Sequence, residues 1–190
     1  MIKPLNLVLI GRSGCGKGTQ AKLLVKYLSD THYISTGDLM RELAEKDTVV
    51  GRLVKKVLEE GGLVPSEIAI GLWMSDLANN VTVKKSIIFD GLPRDAEEAV
   101  HLDNTLKFMQ RYDNFRVLLI DISRTEAFKR LKLRARADDH EEAINNRLDY
   151  YEEHVVPVIE HYEKTGKLIK INGEQAVERI HEDIKETLQI

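Results

Sequence analysis

The segment Gly11-Arg12-Ser13-Gly14-Cys15-Gly16-Lys17-Gly18-Thr19 fits the pattern Gly-x4-Gly-Lys. Its chemistry is that of a polyphosphate cradle. Glycines let the backbone wrap closely, so that its N–H groups face an anion, and a helix starting there adds its positive end. Lys17 contributes a full charge for β- and γ-phosphates. Many loops of this kind follow the lysine with a Ser or Thr that binds Mg²⁺ directly; here Gly18 holds that place and Thr19 stands one later. Cys15, near a predicted helix start, has the setting of a thiol with lowered pKa, but reads more simply as a small spacer. Arginine forks match the spread charge of phosphate. Arg41 and Arg94 each follow a predicted strand end, and Arg130 and Arg134, four apart, share a helix face. Arg52, Arg111, Arg124 and Arg179 read instead as exposed helix-face arginines in ion pairs. The six histidines show no metal-ligand spacing and read as surface or satisfied core residues.

Positioning such a loop requires a strand before it and a helix after it. Leu5 to Ile10 is a short apolar run ending at Gly11, as in a strand buried on both faces, and residues 19–28 carry apolar residues at helical spacing. Further strands are expected at residues 32–35, 86–90, 115–122 and 167–171. Helices are expected at 37–46, 50–60, 66–77, 95–111, 125–137, 141–164 and 175–188. Strands alternating with helices predict an α/β fold: a five-stranded parallel sheet covered by helices on both faces. Such sheets bind ligands beyond the carboxyl ends of their strands. Three motifs, at residues 11–19, 36–41 and 90–94, begin where predicted strands end. The helices between the second and third strands suggest a small lobe rather than a simple crossover.

The composition is that of an ordinary globular chain: 190 residues, 43% hydrophobic, 31% charged. One domain spanning 1–190 is expected. A single cysteine makes no internal disulfide and argues for a reducing, cytoplasmic compartment. No apolar run approaches the roughly 18 residues of a membrane span. The net charge of −3 gives no reason to expect nucleic-acid or membrane partners.

Extended to Gly14-Cys-Gly-Lys-Gly-Thr-Gln20, the loop joins Ser35-Thr-Gly-Asp-Leu-Met-Arg41, Gly62-Leu-Val-Pro65, Asp90-Gly-Leu-Pro-Arg94 and Arg136-Ala-Asp-Asp139 with Glu141, Glu142 and Arg147. In this order and spacing, over nearly the whole chain, they resemble the adenylate kinase family of nucleoside monophosphate kinases. The resemblance implies a P-loop NTPase fold, with core 1–35, 67–133 and 140–190, a monophosphate-binding lobe 36–66 and a minimal lid 134–139. It implies Mg²⁺-dependent, reversible transfer of the ATP γ-phosphoryl group to AMP by a monomer. Gly14, Cys15, Gly16, Lys17, Gly18 and Thr19 then hold ATP phosphates. Arg130 packs on the donor adenine, a Gln175 backbone carbonyl meets it, and Arg134 takes donor phosphates. Thr36, Arg41, Gly62, Leu63, Val64, Gly91 and Arg94 contact the acceptor, and Arg136 and Arg147 the transferring and acceptor phosphates. Lys17, Arg94, Arg134, Arg136 and Arg147 form the catalytic set, and Asp90 orients water on Mg²⁺.

Three departures from the family pattern stand out. Ser13 takes a place often held by proline. Only Ala135 separates Arg134 from Arg136, so the lid is clipped, and such a lid excludes water less well. Glu98 stands where adenylate kinases carry a glutamine that reads the AMP base. A carboxylate offers only acceptors, which suits the adenine amino group but faces its N1 lone pair. The alternatives are therefore a GMP, IMP or pyrimidine monophosphate kinase, or a nucleotide-binding regulatory module with a degenerate lid.

Overall fold

The computed structural model describes residues 4–28, 30–134, 136 and 139–190. The expected lid at 134–139 falls partly on residues 135, 137 and 138, outside that description. Among the described residues no helix is long and apolar enough to cross a membrane.

Five parallel strands form one sheet: β1 (Asn6–Ile10), β2 (Thr31–Ser35), β3 (Ser86–Asp90), β4 (Phe115–Asp121) and β5 (Leu168–Asn172), in the order β2-β3-β1-β4-β5. Every pairing is parallel, with Leu9 beside Asp90 and Leu118, and Ser35 beside Asp90. The central strand β1 is buried throughout. Its alternate side chains enter two cores, because successive residues of a strand point to opposite faces. Leu7 and Leu9 pack with Leu118 and Ile120 against α1 (Lys17–Leu28), α6 (Arg124–Arg134), α7 (Glu141–Tyr150) and α9 (Val177–Leu188). Val8 and Ile10 pack with Phe89, Val117 and Trp73 against α4 (Ser66–Asn80), α5 (Ala96–Phe108) and α8 (Val156–Lys164). The fold class expected from the alternating pattern is thus the one observed.

Between β2 and α4 lie α2 (Thr36–Ala44) and α3 (Val49–Glu59). With the first turn of α4 they enclose a third cluster, formed by Met40, Ala44, Val54, Val64 and Ala69. Ser35 and Thr48 cap these helices, accepting from the N–H groups of Asp38 and Gly51.

Two elements differ from the sequence expectation. The helix expected at 141–164 is broken into α7 and α8 by a π-helical turn, Tyr151–Val155, in which the Val156 N–H donates to the Tyr151 carbonyl. Pro157 has no N–H for the regular ladder, and the wider turn absorbs the defect. The helix expected at 95–111 ends at Phe108, and Gln110 takes a positive φ. Arg111 beyond it is no surface ion-pairing arginine. It donates to Asn6 Oδ1 and to the carbonyls of Lys85, Thr82 and Val83, tying β1 to the entry of β3. Arg52, Arg124 and Arg179 do form exposed pairs, with Asp47, Asp149 and Asp183.

Candidate functional site

A cleft of about 450 Å³ opens at the carboxyl ends of β1, β2 and β3. The loop from Gly11 to Gly16 forms its floor. Gly11 has φ +145, and a Cβ there would lie 2.4 Å from the Ile120 carbonyl oxygen, so no other residue lets β1 turn this sharply against β4. Lys17 Nζ folds back onto its own loop, donating to the carbonyls of Gly11 at 2.8 Å and Arg12 at 3.1 Å. Cys15 is fully buried beneath it, with Sγ 3.6 Å from that ammonium. Arg12 leaves the cradle: its guanidinium lies 4.5 Å from the ring centroid of Tyr151 and pairs with Glu152 at 2.7 Å. The phosphate loop is thereby fastened to the π-helical turn.

Gly18 answers the question raised by the missing hydroxyl. A Cβ at Gly18 would stand 3.3 Å from Asp90 Oδ2. The space beside the lysine is therefore occupied by a carboxylate carried on the end of β3. Tyr33 from β2 donates to the same oxygen at 2.7 Å. Burial, then the neighbouring Asp90 charge, pushes the Tyr33 phenol pKa upward, so it stays a donor.

Cations surround this floor. Lys17, Arg41, Arg94, Arg130, Arg134, Arg136 and Arg147 all line the cleft, as do Gly14, Gly16, Gly18, Thr19, Gly62, Gly91 and Asp90. Arg134 and Arg136 both reach it despite the single residue between them. Arg130 is held by Glu126 at 2.7 Å and by the Gly173 carbonyl at 3.0 Å. Arg41 pairs with Asp38 one turn earlier in α2.

Asp139, part of a motif legible in sequence but given no role there, organises the arginines. Its Oδ1 accepts from Arg134 at 2.6 Å and Arg147 at 2.9 Å, and its Oδ2 from Arg134 Nε at 2.8 Å and the Arg136 N–H at 3.1 Å. Burial opposes its ionisation, but these donors outweigh burial and hold the carboxyl below its ordinary range.

Arg147 sits on α7, which is fixed to the end of α3. The Asn146 amide and the Arg147 guanidinium donate to the carbonyls of Glu60 and Leu58. His140 does so too: its Nε2 donates to the Glu59 carbonyl at 2.8 Å, while Nδ1 caps α7 by accepting from the Ala143 N–H. Gly61 permits the contact, since a Cβ there would lie 2.3 Å from the Ala143 carbonyl oxygen.

Other expected contacts lie away from the cleft lining: Cys15, Thr36, Leu63, Val64, Glu98 and Gln175. Val64 packs in the third core. Thr36 is buried, and its hydroxyl has no hydrogen-bond partner. The Gln175 side chain donates to the Asn172 carbonyl and to Asp183. Glu98 points neither into the cleft nor to solvent; it is 1% exposed, taking bonds from the Trp73 indole and the Arg94 N–H. Tyr33, Asp38, Tyr150 and Tyr151 line the cleft without having been singled out in the sequence. Pro157 within a long helical pattern was the one signal that could have drawn attention to Tyr151.

Comparison with known proteins agrees with this geometry. Residues 9–167 match a family model described as adenylate kinase. The chain is 34% identical to an adenylate kinase of Desulforamulus reducens, over 95% of this chain and 98% of the relative. It is 36% identical to an adenylate kinase of Leuconostoc mesenteroides, over 96% of each. A UMP-CMP kinase of Oryza sativa subsp. japonica is also 36% identical, over 93% of this chain and 71% of the relative. The chain belongs to the adenylate kinase family, whose members are phosphotransferases.

Proposed function

We propose that this chain transfers the γ-phosphoryl group of ATP reversibly to AMP, with Mg²⁺, giving two ADP. The observation that carries the reading is the convergence of Lys17, Arg41, Arg94, Arg134, Arg136 and Arg147 on a single cleft floored by the glycine loop. Phosphoryl transfer through a loose transition state needs in-line alignment and charge neutralisation more than covalent help. The acceptor is a phosphate oxygen already ionised at neutral pH, so no general base is required.

In this reading the loop N–H groups and Lys17 hold the donor phosphates, and Arg130 lies along the donor base. Arg41 and Arg94 take the acceptor phosphate. Arg134, Arg136 and Arg147, gathered by Asp139, neutralise the group in transit. Residues 36–66 form the acceptor lobe, and the segment 134–139 forms the lid. The buried, unpartnered Thr36 hydroxyl supports an acceptor base contact beside Gly37, which lines the cleft. The two bacterial relatives named as adenylate kinases favour AMP.

The residues present fit a magnesium ion. Mg²⁺ keeps several waters and takes its remaining ligands from substrate phosphates, so one protein carboxylate suffices. Asp90 beside Gly18, steadied by Tyr33, would hold it through water, with Thr19 close by in the cleft lining. Bound there, the ion would neutralise the donor phosphates. A monomer in the cytoplasm is the setting this reading takes; the lone cysteine, buried in the loop, suits a reducing compartment.

The test is transfer from ATP to a panel of AMP, GMP, IMP, CMP and UMP. AMP is expected to rank first. A pyrimidine monophosphate ranking first would move the chain toward the activity named for its rice relative, and tight ATP binding with no transfer would make it a regulatory module. Replacing Arg94 with Ala should lower turnover by about 100-fold or more, as loss of one positioned transition-state donor does, while leaving ATP binding nearly intact. Unchanged transfer in that variant would refute the role given to Arg94.

A further inference from the structure

Glu98 is a buried acid at one remove from the cleft, and its bonds lead back to it. Asp95 caps α5, accepting from the Glu98 N–H at 2.8 Å. Glu98 returns the bond to the residue before the cap: its Oε2 accepts from the Arg94 N–H at 2.6 Å. The pair is a capping box shifted by one residue, so the helix start and the Arg94 backbone form one rigid unit. Oε1 accepts from the Trp73 indole of α4 at 3.2 Å. The Arg94 side chain is fixed as well, Nε donating to the Gly91 carbonyl at 2.7 Å.

We infer that Glu98 is a positioning residue: by holding the Arg94 backbone against Trp73, its carboxylate sets the approach of the Arg94 guanidinium to the acceptor phosphate, and its proton governs how firmly. This rests on the reading of Arg94 as an acceptor-phosphate contact. A carboxylate accepts from both N–H groups at once. A glutamine accepting from Arg94 would turn its own NH₂ toward the indole N–H, donor against donor. The neutral acid holds both groups more weakly, because its protonated oxygen is a donor set against an N–H.

The charges facing this group are Arg94 and Asp95 on its own turn, with the Trp73 dipole from α4 and the Tyr162 phenol from α8. Burial outweighs the Arg94 N–H bond and the Arg94 charge, and the acid is pushed up to about 7. Both forms are therefore populated near neutrality, the ionised one above and the neutral one below.

The experiment compares wild type with Glu98→Gln across about pH 5.5 to 8.5, by transfer kinetics and by the fluorescence of Trp73, the chain's single tryptophan. In the wild type, kcat/KM for the acceptor should fall about tenfold as pH drops through 7, the loss of one charge-assisted bond. The KM for ATP should stay level. Free-enzyme fluorescence should titrate over the same range. Glu98→Gln should be flat in fluorescence, low in acceptor kcat/KM throughout, and left only with the limb of the acceptor's own phosphate near pH 6. All monophosphates should fall together. A changed ranking among them would instead make Glu98 a base reader and overturn the inference. So would wild-type fluorescence that does not titrate, a readout that needs no variant to fold. Wild type that transfers to no monophosphate yet titrates in fluorescence would refute the acceptor-site reading rather than the Glu98 geometry.

Discussion

Asp139 shows how one side chain can govern several. Without it, Arg134, Arg136 and Arg147 would repel one another in a confined space; with it, two guanidinium groups and one backbone N–H share a single anchor. Asp139→Asn keeps the shape but offers one acceptor oxygen and an NH₂ facing arginines. We expect a loss of about 1–3 kcal/mol of stability and a raised KM for both nucleotides. The pH dependence has a definite sign. The folded carboxyl is held below its ordinary value, so its contribution is complete above the unfolded value near 4 and disappears as pH falls through the lower folded value. Melting curves from about pH 7 to about pH 2.5 should therefore show the gap between wild type and variant closing on acidification. A gap independent of pH would mean that the charge of Asp139 contributes nothing. Glu98 behaves oppositely. Its raised value means the folded state holds a proton that the unfolded state has released, so stability from this group declines between about 4.5 and about 7. Glu98→Gln should lack that decline, and its melting temperature relative to wild type should climb over the same interval. Neither residue's role was legible in the sequence. Asp139 lies in a quoted motif, but its enclosure by arginines from α6 and α7 is tertiary. Glu98 was read by its place in the family pattern, and only the fold reveals that it turns inward.

At the scale of elements, sequence and structure agree where burial dictates the pattern. Leu5 to Ile10 and Phe115 to Ile122 are apolar because both faces of the sheet are covered, and they appear as β1 and β4 within a residue of the expected ends. Disagreement falls where a backbone defect intervenes. Pro157 interrupts a continuous helical pattern, and the resulting π-helical turn delivers Tyr151 to the cleft and to Arg12. Periodicity alone does not report such a turn. The joint between α7 and α3 was likewise hidden, since His140 looked like one more surface histidine. In the fold it both caps α7 and holds the Glu59 carbonyl, which fixes its proton on Nε2. His140→Ala should cost about 1 kcal/mol, the usual worth of an N-cap. His140→Asn should restore most of that by capping alone, while being too short to reach α3. Denaturant titration of the three proteins separates cap from joint: equal losses for Ala and Asn would assign the stability to the joint.

For the molecule as a whole, the net charge of −3 conceals a separation. Apart from Asp38 and Asp90 in the lining, Asp139 among the arginines and a few buried acids such as Glu98, the acids lie mostly on the surface, while the basic residues singled out for chemistry meet in one cleft. That arrangement also frames what the lid proposed at residues 134–139 should do. Arg134 closes α6, Arg136 follows after one residue in the sequence, and both line the cleft. In the proposed reading, a lid with a single residue between its two arginines covers little of the reacting phosphate. Water excluded less completely competes with the acceptor for the γ-phosphoryl group, because the same cations stabilise transfer to either. We therefore expect slow ADP release from ATP when no monophosphate is present, suppressed on saturation with AMP as the acceptor phosphate fills the path of attack. Insertion of several small polar residues between Arg134 and Arg136 should lower this hydrolysis relative to transfer. Single-turnover measurements with and without AMP give both rates on one preparation. Hydrolysis absent in the native chain, or unaffected by the insertion, would show that the cleft excludes water without a longer segment between Arg134 and Arg136.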